Sequence, residues 1–132
     1  MAYPRDFAAA ARRHLVDGKR LQQDKQYDNA GYHFGLAAEC ALKGAFIALG
    51  DRTFSKEGSG RKAFYAHFPA LKNLSVGLSG RISTSVATLL SKAKFMQDWD
   101  VKMRYSRNRS ITRERCAQWC KDAEDLILAC AV

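Results

Sequence analysis

Apolar residues recur every three to four positions along almost the whole of this chain, and no stretch alternates apolar with polar residues. Spacing of that kind lines one face of a helix, whereas a half-buried strand needs a period of two. The chain is therefore restricted to an all-α fold. Residues 5–24 place Phe7, Ala11, Leu15, Gly18 and Leu21 on one stripe. A short turn follows at 24–28, with Asp28 as candidate N-cap of a second helix over 29–49. That helix carries Ala30, Phe34, Ala37, Ala41, Ala45 and Leu49, and Gly50 is expected just past its end. Its small residues (Gly31, Gly35, Ala38, Gly44, Ala48) would let another helix backbone approach closely. The short connection makes the first two helices an antiparallel hairpin.

Residues 51–63, around Gly58-Ser59-Gly60, read as the one clear loop. A third helix has Phe64, Phe68, Leu71, Leu74 and Leu78 in phase, with Pro69 near its start and Gly77 and Gly80 at its end. Ile82, Val86, Leu89, Ala93, Met96 and Met103 mark a fourth, expected to break near Gln97-Asp98-Trp99. After a polar gap at 106–110, a last helix from about Thr112 aligns Cys116, Trp119, Cys120, Ala123, Leu126, Ile127 and Cys130. The expectation is an up-and-down bundle of about five helices. A chain of 132 residues supports one core, so residues 1–132 read as a single domain.

Several function classes drop out. No run of about 18 apolar residues exists to cross a membrane, and the first residues lack the apolar stretch of a secretory signal. A cytoplasmic protein with reduced thiols is expected. Cys116 and Cys120 stand four apart, a spacing that metal ligands use, but His14, His33 and His67 offer no second pair. Each cysteine falls on an apolar stripe and reads as core, so neither metal nor cofactor is expected. No Gly-x-Ser-x-Gly elbow occurs, and Gly58-Ser59-Gly60-Arg61-Lys62 lacks the spacing of a phosphate loop.

Charge is the unusual property. The chain carries 22 Lys and Arg against 13 Asp and Glu, a net +9, which favours an acidic partner such as nucleic acid. Two-thirds of that excess lies in residues 101–121, where Lys102, Arg104, Arg107, Arg109, Arg113, Arg115 and Lys121 face only Glu114. Five of the seven are arginines, whose planar fork suits phosphates and base edges. Tyr105 sits among them as a stacking candidate, while Trp99 reads as a core aromatic. Glu39 and Lys43 stand four apart in the second helix. Glu39 is surrounded by Ala37, Ala38, Cys40, Ala41 and Leu42, and a buried carboxylate needs a donor or cation. A Glu39–Arg104 contact is the expectation.

Four segments in order carry a family resemblance. Asp28-Asn29-Ala30 followed by Ala37-Ala38-Glu39-Cys40-Ala41-Leu42-Lys43-Gly44 resembles the A-x-E-x-A-x-K second helix of HEPN domains. Ala66-His67-Phe68-Pro69-Ala70-Leu71 is similar to their His-Asp-Leu segment, and Asp100-Val101-Lys102-Met103-Arg104-Tyr105-Ser106 to their Arg-Tyr-Pro segment. Asp122-Ala123-Glu124-Asp125-Leu126 resembles the end of their last helix. The resemblance implies an all-α bundle that commonly dimerises, in a family of metal-independent RNA-cleaving toxins and defence effectors alongside non-catalytic RNA- or nucleotide-binding modules.

Catalytic members carry Arg, four to six residues, then His. Arg107-Asn108 resembles the opening pair, but Thr112 or Arg113 stands where His is expected, and no His follows His67. Arg61 and His67 have that spacing, but they join the loop to the third helix. The sequence therefore reads as a non-catalytic HEPN-like module, and the resemblance implies a place within a toxin–antitoxin or defence system. RNA or a nucleotide would be held by Lys102, Arg104, Tyr105, Arg107, Asn108 and Arg109, with Glu39 and Lys43 supporting the site. The alternatives are a metal-independent ribonuclease with an unconventional site, and an interaction subunit partnering a nucleotidyltransferase or another protein encoded nearby.

Overall fold

The computed structural model describes residues 3–48, 65–77 and 82–131. Among them are five α-helices and no strand: α1 Phe7–Gln23, α2 Tyr27–Ala48, α3 Ala70–Gly77, α4 Thr84–Ser91 and α5 Arg113–Cys130. A 3₁₀ turn, Val101–Tyr105, precedes α5. The expected loop at 51–63, with Arg61, and the expected helix-end residues Leu49, Gly50, Phe64, Leu78 and Gly80 lie outside the described residues.

Helix α2 is the axis of the bundle. α1 packs along it, α5 packs against both, and the 3₁₀ turn rests on it as well. It can be surrounded in this way because both its large and its small residues are buried, from Ala30, Phe34, Ala37, Ala38 and Ala41 to Leu42 and Phe46. Ala11 of α1 and Cys116, Trp119, Ala123 and Leu126 of α5 complete the centre. Cys116 and Cys120 are core residues, and burial pushes their thiols up to about 11 and about 12. Two glycines of α2 accommodate rings rather than the expected helix backbone. A Cβ on Gly31 would come within 2.8 Å of the Trp119 ring, and one on Gly35 would lie inside the Trp99 indole. Trp99 is 1% exposed and donates its indole N–H to the Gly31 carbonyl at 2.9 Å, so it is a core aromatic as expected.

Two expectations fail at helix ends. α2 begins at Tyr27, so Asp28 lies in its first turn and is not its N-cap. Its carboxylate accepts backbone N–H groups from residues more than 80 positions away (Arg109 and Ile111). The fourth helix ends at Ser91, well before the break expected near 97–99. Met96 and Asp98 take left-handed conformations, with φ of 51° and 66°. Neighbouring helices hold that path. Buried Asp122 of α5 accepts the Met96 N–H at 2.9 Å, Lys72 of α3 donates to the Lys92 carbonyl, and Trp119 donates to that of Gln97. No glycine or proline in 82–99 signals the change of direction. At the other end of this basic region the sequence reading holds, because Thr112 caps α5 by accepting the Arg115 N–H.

Candidate functional site

The segment from Asp100 to Thr112 connects the bundle to its last helix and carries the expected basic residues. Asp100 caps the 3₁₀ turn by accepting the Lys102 N–H at 2.9 Å. Lys102, Arg104, Tyr105, Arg107, Asn108 and Arg109 are all exposed, so the structure leaves this cluster on one continuous stretch of surface backbone. Tyr105 is 80% exposed, with the Arg104 guanidinium 5.0 Å from its ring centroid. The same guanidinium donates to the Tyr32 hydroxyl at 3.5 Å, which raises its pKa further. Tyr32 in turn stacks on buried Trp99 with ring centroids 6.1 Å apart. Arg104 is thus tied to the core through two aromatic rings. Among the described residues, Lys102, Arg107 and Arg109 have no carboxylate within ion-pair distance, and their charge faces solvent.

The backbone of this segment is anchored by Asp28. Its Oδ2 accepts the Arg109 N–H at 2.6 Å and its Oδ1 accepts the Ile111 N–H at 2.9 Å. Between these two bonds Arg109 adopts φ of 64°, a region that residues other than glycine rarely take. The Ser110 hydroxyl bonds back to the Arg107 carbonyl and tightens the turn. The sequence reading named the cations and missed this anchor. Its signal was present only as an acidic residue in the Asp28-Asn29-Ala30 segment.

Glu39 and Lys43 belong elsewhere. Both are buried in α2, but the expected Glu39–Arg104 contact does not form. Glu39 Oε2 accepts the Phe68 N–H at 2.8 Å, and Oε1 lies 2.8 Å from Nδ1 of His67. Desolvation pushes the Glu39 carboxyl up, opposed by these two bonds and by the nearby Lys43 charge. Lys43 is pushed down by its own burial. Glu39 supports the connection into α3, Lys43 lies near it on the same helix, and neither has a hydrogen bond or ion pair to the basic segment among the described residues.

The histidines are also accounted for. His14 and His33 face each other across α1 and α2, Nδ1 to Nδ1 at 3.0 Å, and His67 is held by Glu39. The Thr112 hydroxyl, at the position where a catalytic histidine is expected, is occupied as the α5 cap, and Arg113 beside it is exposed. No group of three metal-ligating side chains occurs among the described residues. Nor is any described helix long and apolar enough to cross a membrane.

Comparison with known proteins gives one match. The family model described as the HEPN domain matches residues 5–131. No curated protein and no solved structure matches the chain.

Proposed function

Since the chain belongs to the HEPN domain family, an all-α family with RNA- or nucleotide-related functions, we propose that it is a non-catalytic module that binds RNA or a nucleotide. The binding residues are Lys102, Arg104, Tyr105, Arg107, Asn108 and Arg109. The observation that carries this reading is their common exposure, with cations that have no carboxylate partner among the described residues, on a backbone that Asp28 fixes in place and with the Arg104 side chain held by Tyr32. Unpaired arginines beside an exposed tyrosine combine phosphate attraction with a stacking surface, the two contacts that single-stranded nucleic acid offers. The absence of a histidine after His67 supports holding over cutting. We propose further that the module forms a homodimer and works beside a protein encoded nearby, in a toxin–antitoxin or defence setting, a reading that rests on what the family resemblance implies.

The test is fluorescence anisotropy with a labelled single-stranded RNA across a salt series. Affinity should fall as salt rises. Arg104→Ala with Arg107→Ala should make the log–log slope shallower by about 1.4, at about 0.7 per lost phosphate contact. Binding that is absent or insensitive to salt would instead favour the interaction subunit.

One observation favours a second reading as ribonuclease. Buried Glu39 fixes Nδ1 of His67, an orientation that leaves Nε2 of a half-exposed imidazole available for proton transfer. RNA cleavage by the wild type that His67→Gln abolishes, with the fold intact, would establish it.

A further inference from the structure

Beside the basic segment the surface opens into a cleft of about 520 Å³ between the α1–α2 turn and residues 108–111. Pockets that hold a small ligand commonly run from about 300 to 1,000 Å³. Both walls are built from unusual backbone. Lys25 on one side has φ of 60°, and Arg109 on the other has φ of 64°. Asp28 fastens one wall to the other through the Arg109 and Ile111 amides, so the spacing between them is set before any ligand arrives. With both oxygens occupied by those amides, Asp28 acts here as a brace. The lining side chains without a hydrogen-bond or ion-pair partner among the described residues include the cations Lys25 and Arg109 and the amides Asn29 and Asn108, with the Gln26 amide and one carboxylate, Asp24, beside Lys25.

That combination is richer than phosphate attraction requires. A surface that only tracks a nucleic-acid backbone needs cations. A side-chain amide presents both a donor and an acceptor, the pattern that complements a base edge. The lining also includes Tyr27, and with Arg109 it offers planar groups of the kind on which splayed RNA bases stack. We propose that this cleft is a base-reading subsite, in which Asn29 and Asn108 bond the edge of one unpaired nucleobase while Lys25 and Arg109 hold its phosphate. The inference rests on the RNA- or nucleotide-binding reading above and adds selectivity to it. Arg104 and Arg107 supply sequence-independent affinity; the cleft supplies preference for a base.

The two contributions are separable by measurement. Labelled eight-nucleotide oligoadenylate, oligouridylate and oligocytidylate are titrated into the wild type, the Asn29→Ala/Asn108→Ala variant and the Arg104→Ala/Arg107→Ala variant. The wild type should prefer one oligonucleotide by about fivefold or more, the discrimination expected of one good base contact. The asparagine variant should bind all three within twofold of one another with an unchanged salt slope. The arginine variant should keep the preference at reduced affinity. Both asparagines are exposed and partnerless among the described residues, so thermal melting of their variant should match the wild type. Titration with the nucleoside monophosphates identifies the source of the base. Saturable binding lost in the asparagine variant means a free nucleotide, and preference seen only with oligonucleotides means a strand. Salt-dependent binding with no preference in the wild type, or a preference that survives in the asparagine variant, overturns the subsite and leaves the phosphate patch standing. Absence of any binding overturns both.

Discussion

Glu39 illustrates how much a single buried charge decides. Its carboxylate sits in the alanine-rich centre of α2 and accepts one backbone and one imidazole bond, both 2.8 Å long. Truncation by Glu39→Ala orphans the buried Phe68 N–H, and urea unfolding should show a loss of about 1–3 kcal/mol. Glu39→Gln should cost much less. Its amide oxygen can accept from Phe68 while its NH₂ donates to Nδ1 of His67 in the other tautomer. Equal losses in the two variants would mean that packing, rather than hydrogen bonding, sets the value of the site. The His14–His33 contact adds a pH dependence. Between two Nδ1 atoms 3.0 Å apart only one proton fits comfortably. Burial first, then the facing His33 and adjacent Arg13, depress the His14 pKa below 6.5, with Asp17 opposing them. A depressed pKa means that the unfolded chain takes the proton first. The stability is therefore fully present above about pH 6.5 and is lost as pH falls through the folded value. Melting temperatures should decline over that acidic window in the wild type, at about 4 °C per kcal/mol lost, and decline less in His14→Gln. An identical decline in both would remove the pair as the cause.

The elements of the fold differ in how far the sequence betrays them. α1 and α5 were legible because one clear stripe each faces α2, and α5 starts at the Thr112 cap, where the last helix was expected. α2 was legible as a helix, and Gly44 faces the α1 backbone as expected, but the use made of Gly31 and Gly35 was not legible, since nothing nearby in sequence says that Trp119 and Trp99 will fill the space. The end of α4 was illegible for the same reason. Asp122, Lys72 and Trp119 bend residues 92–99 from other elements, against an apolar spacing that would continue the helix. At the candidate site the cations were readable from composition alone. Their anchor was not, because Asp28 and its two amides are separated by 81 and 83 residues. That anchor gives the element-scale prediction. Asp28→Ala frees the Arg109 and Ile111 amides and releases the left-handed residue between them. Hydrogen exchange at both amides should speed up strongly, while α5, capped independently by Thr112, stays protected. RNA affinity should fall even though removing an acidic group raises the net charge. An increase in affinity would mean that charge alone, without a fixed backbone, governs binding.

At the scale of the whole molecule, the net charge of +9 sets two opposing responses to salt. In the unliganded protein, like charges crowd onto a folded surface, with +6 in residues 101–121 alone, and the compact state is destabilised by that repulsion. Screening relieves it, since the Debye length shrinks from about 30 Å at 0.01 M to about 8 Å at 0.15 M. Melting temperature should therefore rise with salt in the absence of ligand. A bound polyanion acts in the other direction. RNA that binds only the folded state, at a hundred times its dissociation constant, adds about 2.7 kcal/mol, and salt removes this by weakening the complex. The two melting curves, with and without RNA, should converge as salt increases, the lower one rising while the gap closes. Arg104→Ala with Arg107→Ala should narrow the gap at low salt and bring the convergence to a lower salt concentration. The effect on the unliganded curve separates local from global electrostatics. If the double variant also melts higher than the wild type at low salt, those two arginines contribute to the repulsion as well as to binding. A gap that persists unchanged at 0.5 M salt would show that the complex is held by contacts other than phosphates, and the basic segment would lose its role as the interface.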